Sequence, residues 1–297
     1  MFSRRSFVRT SSLAAIAATL PSRLLSAAST RRFSNLTDHL AQLEKDCSGR
    51  LGVAILDTGS NELGGHRIDE RFAMCSTFKM LLAAAVLQRA DRHEENLNRA
   101  ISIPATALVP NSPITQQYAG RSMSVSELCA AAITVSDNTA ANLLLATIDG
   151  PSGITRFARS LGDRITRLDR IETSLNEAAP GDPRDTTSPA AMVSNWNTLL
   201  LGDALSQSSR KQLTEWLIAN KTGGERLRGA LPPAWTVADK TGSNGTTTTN
   251  DVVIVWPPNQ APVIVAAYLT ACTGTEAKRN GVLAEVGRRV AKSIQTA

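Results

Sequence analysis

The stretch "AWTVADKTGSNGTTTTNDVVIVWPPNQAPVIVAAYLT", residues 234–270, holds three runs of strand character, "AWTVADKTGS", "DVVIVWP" and "APVIVAAYLT", parted by Gly-, Asn- and Pro-rich turns. The only other clear run of this kind, "RLGVAILD" at 50–57, lies near the opposite end of the chain. It follows an amphipathic helix marked by Leu36, Leu40 and Leu43 and precedes a turn read at "TGSNELGG". Between 76 and about 217 strand alternation almost disappears, and the apolar spacing is helical in six runs: 77–90, "SVSELCAAAI", "NTAANLLLATI", "GITRFARSLG", "PAAMVSNWNTLLLG" and "SRKQLTEWLIAN". A last helix carries Val282, Val286, Val290 and Ile294 on one stripe, and "TTTT" at 246–249 reads as a turn or strand edge. Strands near both ends have to share one sheet. The expected fold is therefore α/β plus all-α: an antiparallel β-sheet flanked by helices and formed by 29–66 with 218–297, and an inserted helical lobe over 67–217. The cleft between the two lobes is the expected ligand site.

The chain has 297 residues, 42% of them hydrophobic and 20% charged, enough for a full core. Residues 1–28 have the layout of a cleavable export signal: arginines, a short apolar run, then small residues. "SRRSFVR" resembles a twin-arginine signal, and the apolar run is about half of the ~20 residues that span a bilayer. Arg4, Arg5, Arg9 and Arg23 lie in this leader, so its removal takes away four of the six net positive charges. No basic block interleaved with aromatics follows, which argues against nucleic acid as a partner. A periplasmic monomer acting on a small molecule, without stable membrane insertion, is expected.

Cys47, Cys75, Cys129 and Cys272 show no C-x-x-C spacing, and the sequence does not say which of them pair. His39, His66 and His93 are far apart and form no zinc motif, so no metal and no cofactor is expected. G-x-S-x-G is also missing.

The chemistry is carried by three short motifs, two of which have a second copy elsewhere. "MCSTFKM", 74–80, places Ser76 and Lys79 three residues apart ahead of an apolar helix, so both side chains lie on one helix face. A lysine near a helix start and out of water is pushed towards the neutral amine, which can take a proton from a serine hydroxyl. Ser208 and Lys211 repeat the spacing on a polar face, as about one chance match in a chain of this size would. Ser136-Asp137-Asn138 brings a hydroxyl and an amide to a helix start. Lys-Thr-Gly occurs at 221–223, read as punctuation closing a helix, and at 240–242, at the end of an alternating strand. An edge strand there offers backbone groups to an extended ligand.

S-x-x-K, S-D-N and K-T-G in this order resemble the class A β-lactamases and the related penicillin-binding proteins. "LDRIETSLNEAAPGDPRDTTSPAAM", 168–192, is similar to the class A omega loop, placed here at 167–185, and the likeness extends over about 35–295. The resemblance implies hydrolysis of the β-lactam amide of penicillins and cephalosporins, conferring antibiotic resistance, with Ser76 as nucleophile and Lys79 as its proton-transfer partner. Ser136 would relay a proton to the departing nitrogen, Asn138 would hold the substrate's amide side chain, and Glu172 with Asn176 would bind the hydrolytic water. Lys240, Thr241 and Ser243 would grip the substrate carboxylate, with Arg226 as a second guanidinium nearby. The backbone N–H groups of Ser76 and Ser243 would form the oxyanion hole.

Some positions depart from the family. Asn111 stands where an aromatic is common, Thr173 stands where proline commonly follows Glu172, and the bond before it would be cis as in the family. Arg170 and Asp185 would bridge the loop neck. The family partner of Cys129 would be Ala83 and that of Cys75 would be Asn244, so neither of those disulfides can form. Cephalosporins, including oxyimino ones, are expected substrates and carbapenems poor ones. A D-alanyl-D-alanine peptidase or a penicillin-sensing module would share the three motifs, but neither needs a deacylating glutamate.

Overall fold

The strand runs from the two ends meet in one antiparallel sheet. The computed structural model describes Phe33 and residues 36–296, so the expected leader lies outside the described residues. Helix α1 (Leu36–Cys47) leads into β1 (Arg50–Asp57) and β2 (Glu62–His66), then β3 (Phe72–Ala73), a 3-10 turn (Cys75–Thr77) and α2 (Phe78–Asp91). Next come β4 (Ala100–Ser102), β5 (Ser122–Ser124), α3 (Val125–Thr134), α4 (Asn138–Ala146) and α5 (Pro151–Ser160). The chain continues through β6 (Thr186–Thr187), α6 (Pro189–Leu200), α7 (Gln207–Ile218), β7 (Thr236–Ser243), β8 (Thr249–Trp256), β9 (Val263–Thr270) and α8 (Glu276–Gln295).

The main sheet has the order β2-β1-β9-β8-β7, with every neighbour antiparallel. Its strands alternate between two cores. Val252, Ile254, Ile264 and Ala266 face the helical side, while Val253, Val255, Val263 and Val265 face α1 and α8. Both faces are covered, which is why these strands read as nearly unbroken apolar runs; each such side chain contributes about 1.5–3 kcal/mol. Helix α6 packs on β1 and β9 and ties the helical part to the sheet. Within that part α2 is the axial helix. Residues 78–87 are all buried, so the run after Ser76 is apolar all round.

Two local readings change. "TGSNELGG" is not only a turn, because Glu62–His66 pairs with Val53–Asp57 as edge strand β2; backbone pairing outweighs the poor strand propensity of its two glycines. The stretch from 72 to 187 also holds two short strand pairs, β3 with β6 and β4 with β5, of two and three residues per strand, too short to leave an alternating pattern.

Candidate active site

Four elements bring the motif side chains to one cleft. The 3-10 turn carries Ser76, and α2 begins two residues later, so Lys79 lies in its first turn. Asp137 caps α4: it accepts from Ala140 N at 2.9 Å and also from the backbone N–H groups of Ile114 and Thr115 and the Thr115 hydroxyl. That cap fixes Ser136 and Asn138 on either side, with Ser136 at φ 59°. Strand β7 closes the cleft as the sheet's edge. At Gly242 it passes so near the 3-10 turn that a Cβ would come within 2.6 Å of Met74 O and 3.2 Å of Ser76 N. Only glycine allows this approach, which sets the Ser243 backbone beside that of Ser76. The cleft has a volume of 610 Å³, and its lining includes Asn111, Asn138, Thr173, Asn176, Ser243 and Asn244.

Inside it, Ser76 Oγ donates to Glu172 Oε1 at 3.3 Å, and Lys79 Nζ reaches the same oxygen at 3.0 Å. Lys79 also donates to Ser136 O at 2.9 Å, to Asn138 Oδ1 at 2.6 Å and to Ser136 Oγ at 3.4 Å. Its contact with Ser76 thus runs through the Glu172 carboxylate. Asn176 Nδ2 donates to the other Glu172 oxygen at 2.6 Å, and Asn176 Oδ1 is buried with no partner among the described residues. On the far side, Lys240 Nζ donates to Ser136 Oγ at 3.1 Å and to Thr241 O at 2.9 Å. Burial holds Lys79 below the ordinary lysine range, against the pull of Glu172. Burial, followed by the charge of Lys79, lowers Lys240 to about 7.

The remaining expected residues fall as follows. Arg226 is buried behind β7, where it donates to Asn280 Oδ1 at 3.0 Å, to Gly242 O at 3.1 Å and to Asn250 O at 2.9 Å. Ser243 Oγ donates to Thr248 O at 3.0 Å and accepts from Gly245 N at 2.9 Å, so its hydroxyl is engaged by the β7–β8 turn. The Glu172–Thr173 bond is cis. Arg170 Nε meets Asp185 Oδ2 at 2.6 Å, and Asp185 Oδ1 accepts from the backbone of Asp169 and Arg170, which closes the loop neck. Lys211 is exposed and pairs only loosely with Glu215, as suits a solvated copy of the serine–lysine spacing.

The second Lys-Thr-Gly is more than punctuation. It lies past the end of α7, and Thr222 Oγ1 is hydrogen-bonded to Thr241 Oγ1 while Gly223 packs on Asp239. Asn142 is a further unforeseen residue. Its amide clasps Glu172 twice, with Nδ2 donating to the carbonyl at 2.8 Å and Oδ1 accepting from the N–H at 2.9 Å. A lone amide inside the apolar run "NTAANLLL", one helical turn after Asn138, was the available signal.

The family model described as the β-lactamase enzyme family matches residues 35–294. A solved class A β-lactamase, the last common ancestor of Gram-negative bacteria, is 57% identical, covering 88% of this chain and 100% of that one at a TM-score of 0.87. The chain belongs to the class A β-lactamase family. Among curated relatives, β-lactamase L2 of Stenotrophomonas maltophilia is 46% identical, with 97% of this chain and 98% of that protein covered. β-Lactamase Toho-1 of Escherichia coli is 44% identical, with coverages of 94% and 96%.

Proposed function

We propose that this class A β-lactamase hydrolyses penicillins and cephalosporins through an ester on Ser76. The observation that carries the reading is the convergence of Ser76 Oγ and Lys79 Nζ on one buried oxygen of Glu172, with Asn176 on the other. Ser76 attacks the lactam carbonyl and gives its proton to the Lys79–Glu172 pair. The backbone N–H groups of Ser76 and Ser243 hold the developing oxyanion; one such donor is worth about 3 kcal/mol. The C–N bond then breaks, and Ser136, between Lys79 and Lys240, delivers a proton to the nitrogen. Lys240, Thr241 and Ser243 hold the substrate carboxylate, Arg226 adds positive charge from behind the strand, and Asn138 holds the substrate's amide. For the second half-reaction Glu172 and the unpartnered Asn176 Oδ1 hold a water, whose proton passes to Glu172 as the ester is hydrolysed.

The test is steady-state turnover of a chromogenic cephalosporin by the mature chain and by Ser76→Ala. Turnover only in the wild type supports the reading. A single stoichiometric burst in the wild type would instead favour a peptidase or a sensor.

The enzyme acts as a periplasmic monomer delivered by the twin-arginine route. Among the described residues no helix is long and apolar enough to cross a membrane. Arg4→Lys with Arg5→Lys should retain active enzyme in the cytoplasm; normal periplasmic activity in that variant would refute the route.

A further inference from the structure

Two of the four cysteines face each other across the outer core, far from the cleft. Cys47 ends α1, and Cys272 follows β9 by two residues. Both are buried, at 1% and 0% exposure, in the core between the sheet and α1 with α8. Cys272 Sγ donates to the carbonyl of Cys47 at 3.3 Å, while Cys47 Sγ donates to Glu44 O at 3.3 Å. Gly49 keeps the space tight: a Cβ there would come within 2.8 Å of Cys272 Cβ. Among the described residues the other two cysteines have no such neighbour. Cys129 belongs to the core on the opposite face of the sheet, and Cys75 is wedged against Gly242 beside Ser76.

We propose that Cys47 and Cys272 are a dithiol site that a disulfide-bearing oxidant, such as oxidised glutathione or an oxidised dithiol protein, converts to a disulfide in the folded enzyme. One cysteine, as thiolate, attacks a sulfur of the oxidant and releases one oxidant thiol. The second displaces the remaining half and forms the Cys47–Cys272 bond. The two cysteines lose two hydrogens and two electrons in all, and the oxidant leaves as two thiols. Access comes from the end of α1, where Ser48 is exposed, and from the exposed turn that follows Cys272. Burial pushes the Cys47 thiol up to about 11, so the attacking thiolate is scarce and oxidation is slow. The same burial shields the finished bond from reductants. The link would join the start of the described fold to the end of the strand that pairs with β1, while the cleft lies along β7 at the sheet's edge.

The test incubates the folded enzyme with oxidised glutathione, then alkylates it with iodoacetamide in denaturant without reductant and maps the peptides. Alkylation only at Cys75 and Cys129, with the Cys47 and Cys272 peptides joined and two hydrogens lighter, is expected. Dithiothreitol should free the pair slowly in the native enzyme and at once in denaturant. Cys47→Ser and Cys272→Ser should each lower the unfolding midpoint of the oxidised enzyme to that of its reduced form, with cephalosporin turnover unchanged. Four alkylated cysteines, separate glutathione adducts on Cys47 and Cys272, or a bond from either to Cys75 or Cys129 would overturn the proposal.

Discussion

Lys79 Nζ and Glu172 Oε1 stand 3.0 Å apart with both side chains fully out of solvent. An opposed pair of this kind is costly to leave half-made, and here one of its oxygens also accepts the Ser76 proton. The pair can therefore trade a proton directly across that contact.

Glu172→Asn removes the base and shortens the side chain by one methylene. Acylation should persist at a lower rate, and an adduct should build up on the peptide that contains Ser76, visible as a mass increase. Turnover should fall by roughly 10²- to 10⁴-fold. Intact steady-state hydrolysis, or an adduct on Ser208, would overturn the roles assigned to Ser76 and Glu172.

Lys240 sets a pH dependence. Buried and lowered to about 7, it loses its charge as pH rises through neutrality, so kcat/KM for an anionic substrate should fall above about pH 7. A bound carboxylate favours the ammonium form, so kcat should fall at a higher pH than kcat/KM. Lys240→Arg should abolish this limb, since a guanidinium stays charged. For stability the sign is opposite. The native chain binds fewer protons at this site than the unfolded chain between about 7 and 10.4, so the contribution of Lys240 is least favourable below 7 and improves as pH rises across that window. A flat kcat/KM profile from pH 6 to 9 would refute the assignment.

Asn142→Ala strips both backbone groups of Glu172 of their partners. Leaving buried polar groups unpaired costs about 1–3 kcal/mol. Deacylation should suffer more than acylation, because the group displaced is the one that holds the water. Equal losses in both half-reactions, measured by single-turnover kinetics, would show that the clasp only supports folding.

The elements with strong local signatures were legible in the sequence, and so were the three motifs. Helix α2 carries an unbroken apolar run from Met80 to Leu87, and β8 and β9 are rich in β-branched residues. What escaped was whatever depends on a partner distant in the chain. Strand β2 exists because β1 pairs with it, and the four shortest strands have no pattern of their own. Thr222 gains meaning only from Thr241, and Asn142 only from Glu172. The engagement of the Ser243 hydroxyl with the β7–β8 turn likewise follows from geometry that no spacing reveals.

Asp185→Ala should loosen the omega loop, because it removes the acceptor of two backbone N–H groups and the buried one of the carboxylates that Arg170 meets, Glu177 being exposed. A loss of about 2–3 kcal/mol is expected for charge-assisted bonds at a buried carboxylate, or roughly 5–10 °C in Tm. Arg170→Ala added to it should cost little more, which a double-mutant cycle by thermal unfolding would detect.

Ser243→Ala removes a hydroxyl that must rotate away from Thr248 O before it can donate to a ligand. One such bond is worth about 1 kcal/mol, so kcat/KM for oxyimino-cephalosporins should drop by roughly five- to tenfold, with penicillins affected less. Carbapenems should be turned over slowly by the parent enzyme. A substrate panel that shows equal losses, or fast carbapenem hydrolysis, would contradict this.

The register of β1 against β9, Arg50 opposite Thr270 and Asp57 opposite Val263, has a kinetic meaning. The first strand to be synthesised, β1, can find its neighbour β9 only after the helical part and the strands β7 and β8 have left the ribosome. Until then β1 has just the weak β2 hairpin on one side and an open edge on the other. Closing so long a loop is slow, and an unpaired apolar strand is the species that aggregates or is cut. Nascent chains stopped before residue 263 should therefore be protease-sensitive throughout, and resistance should arise in a single late step rather than lobe by lobe.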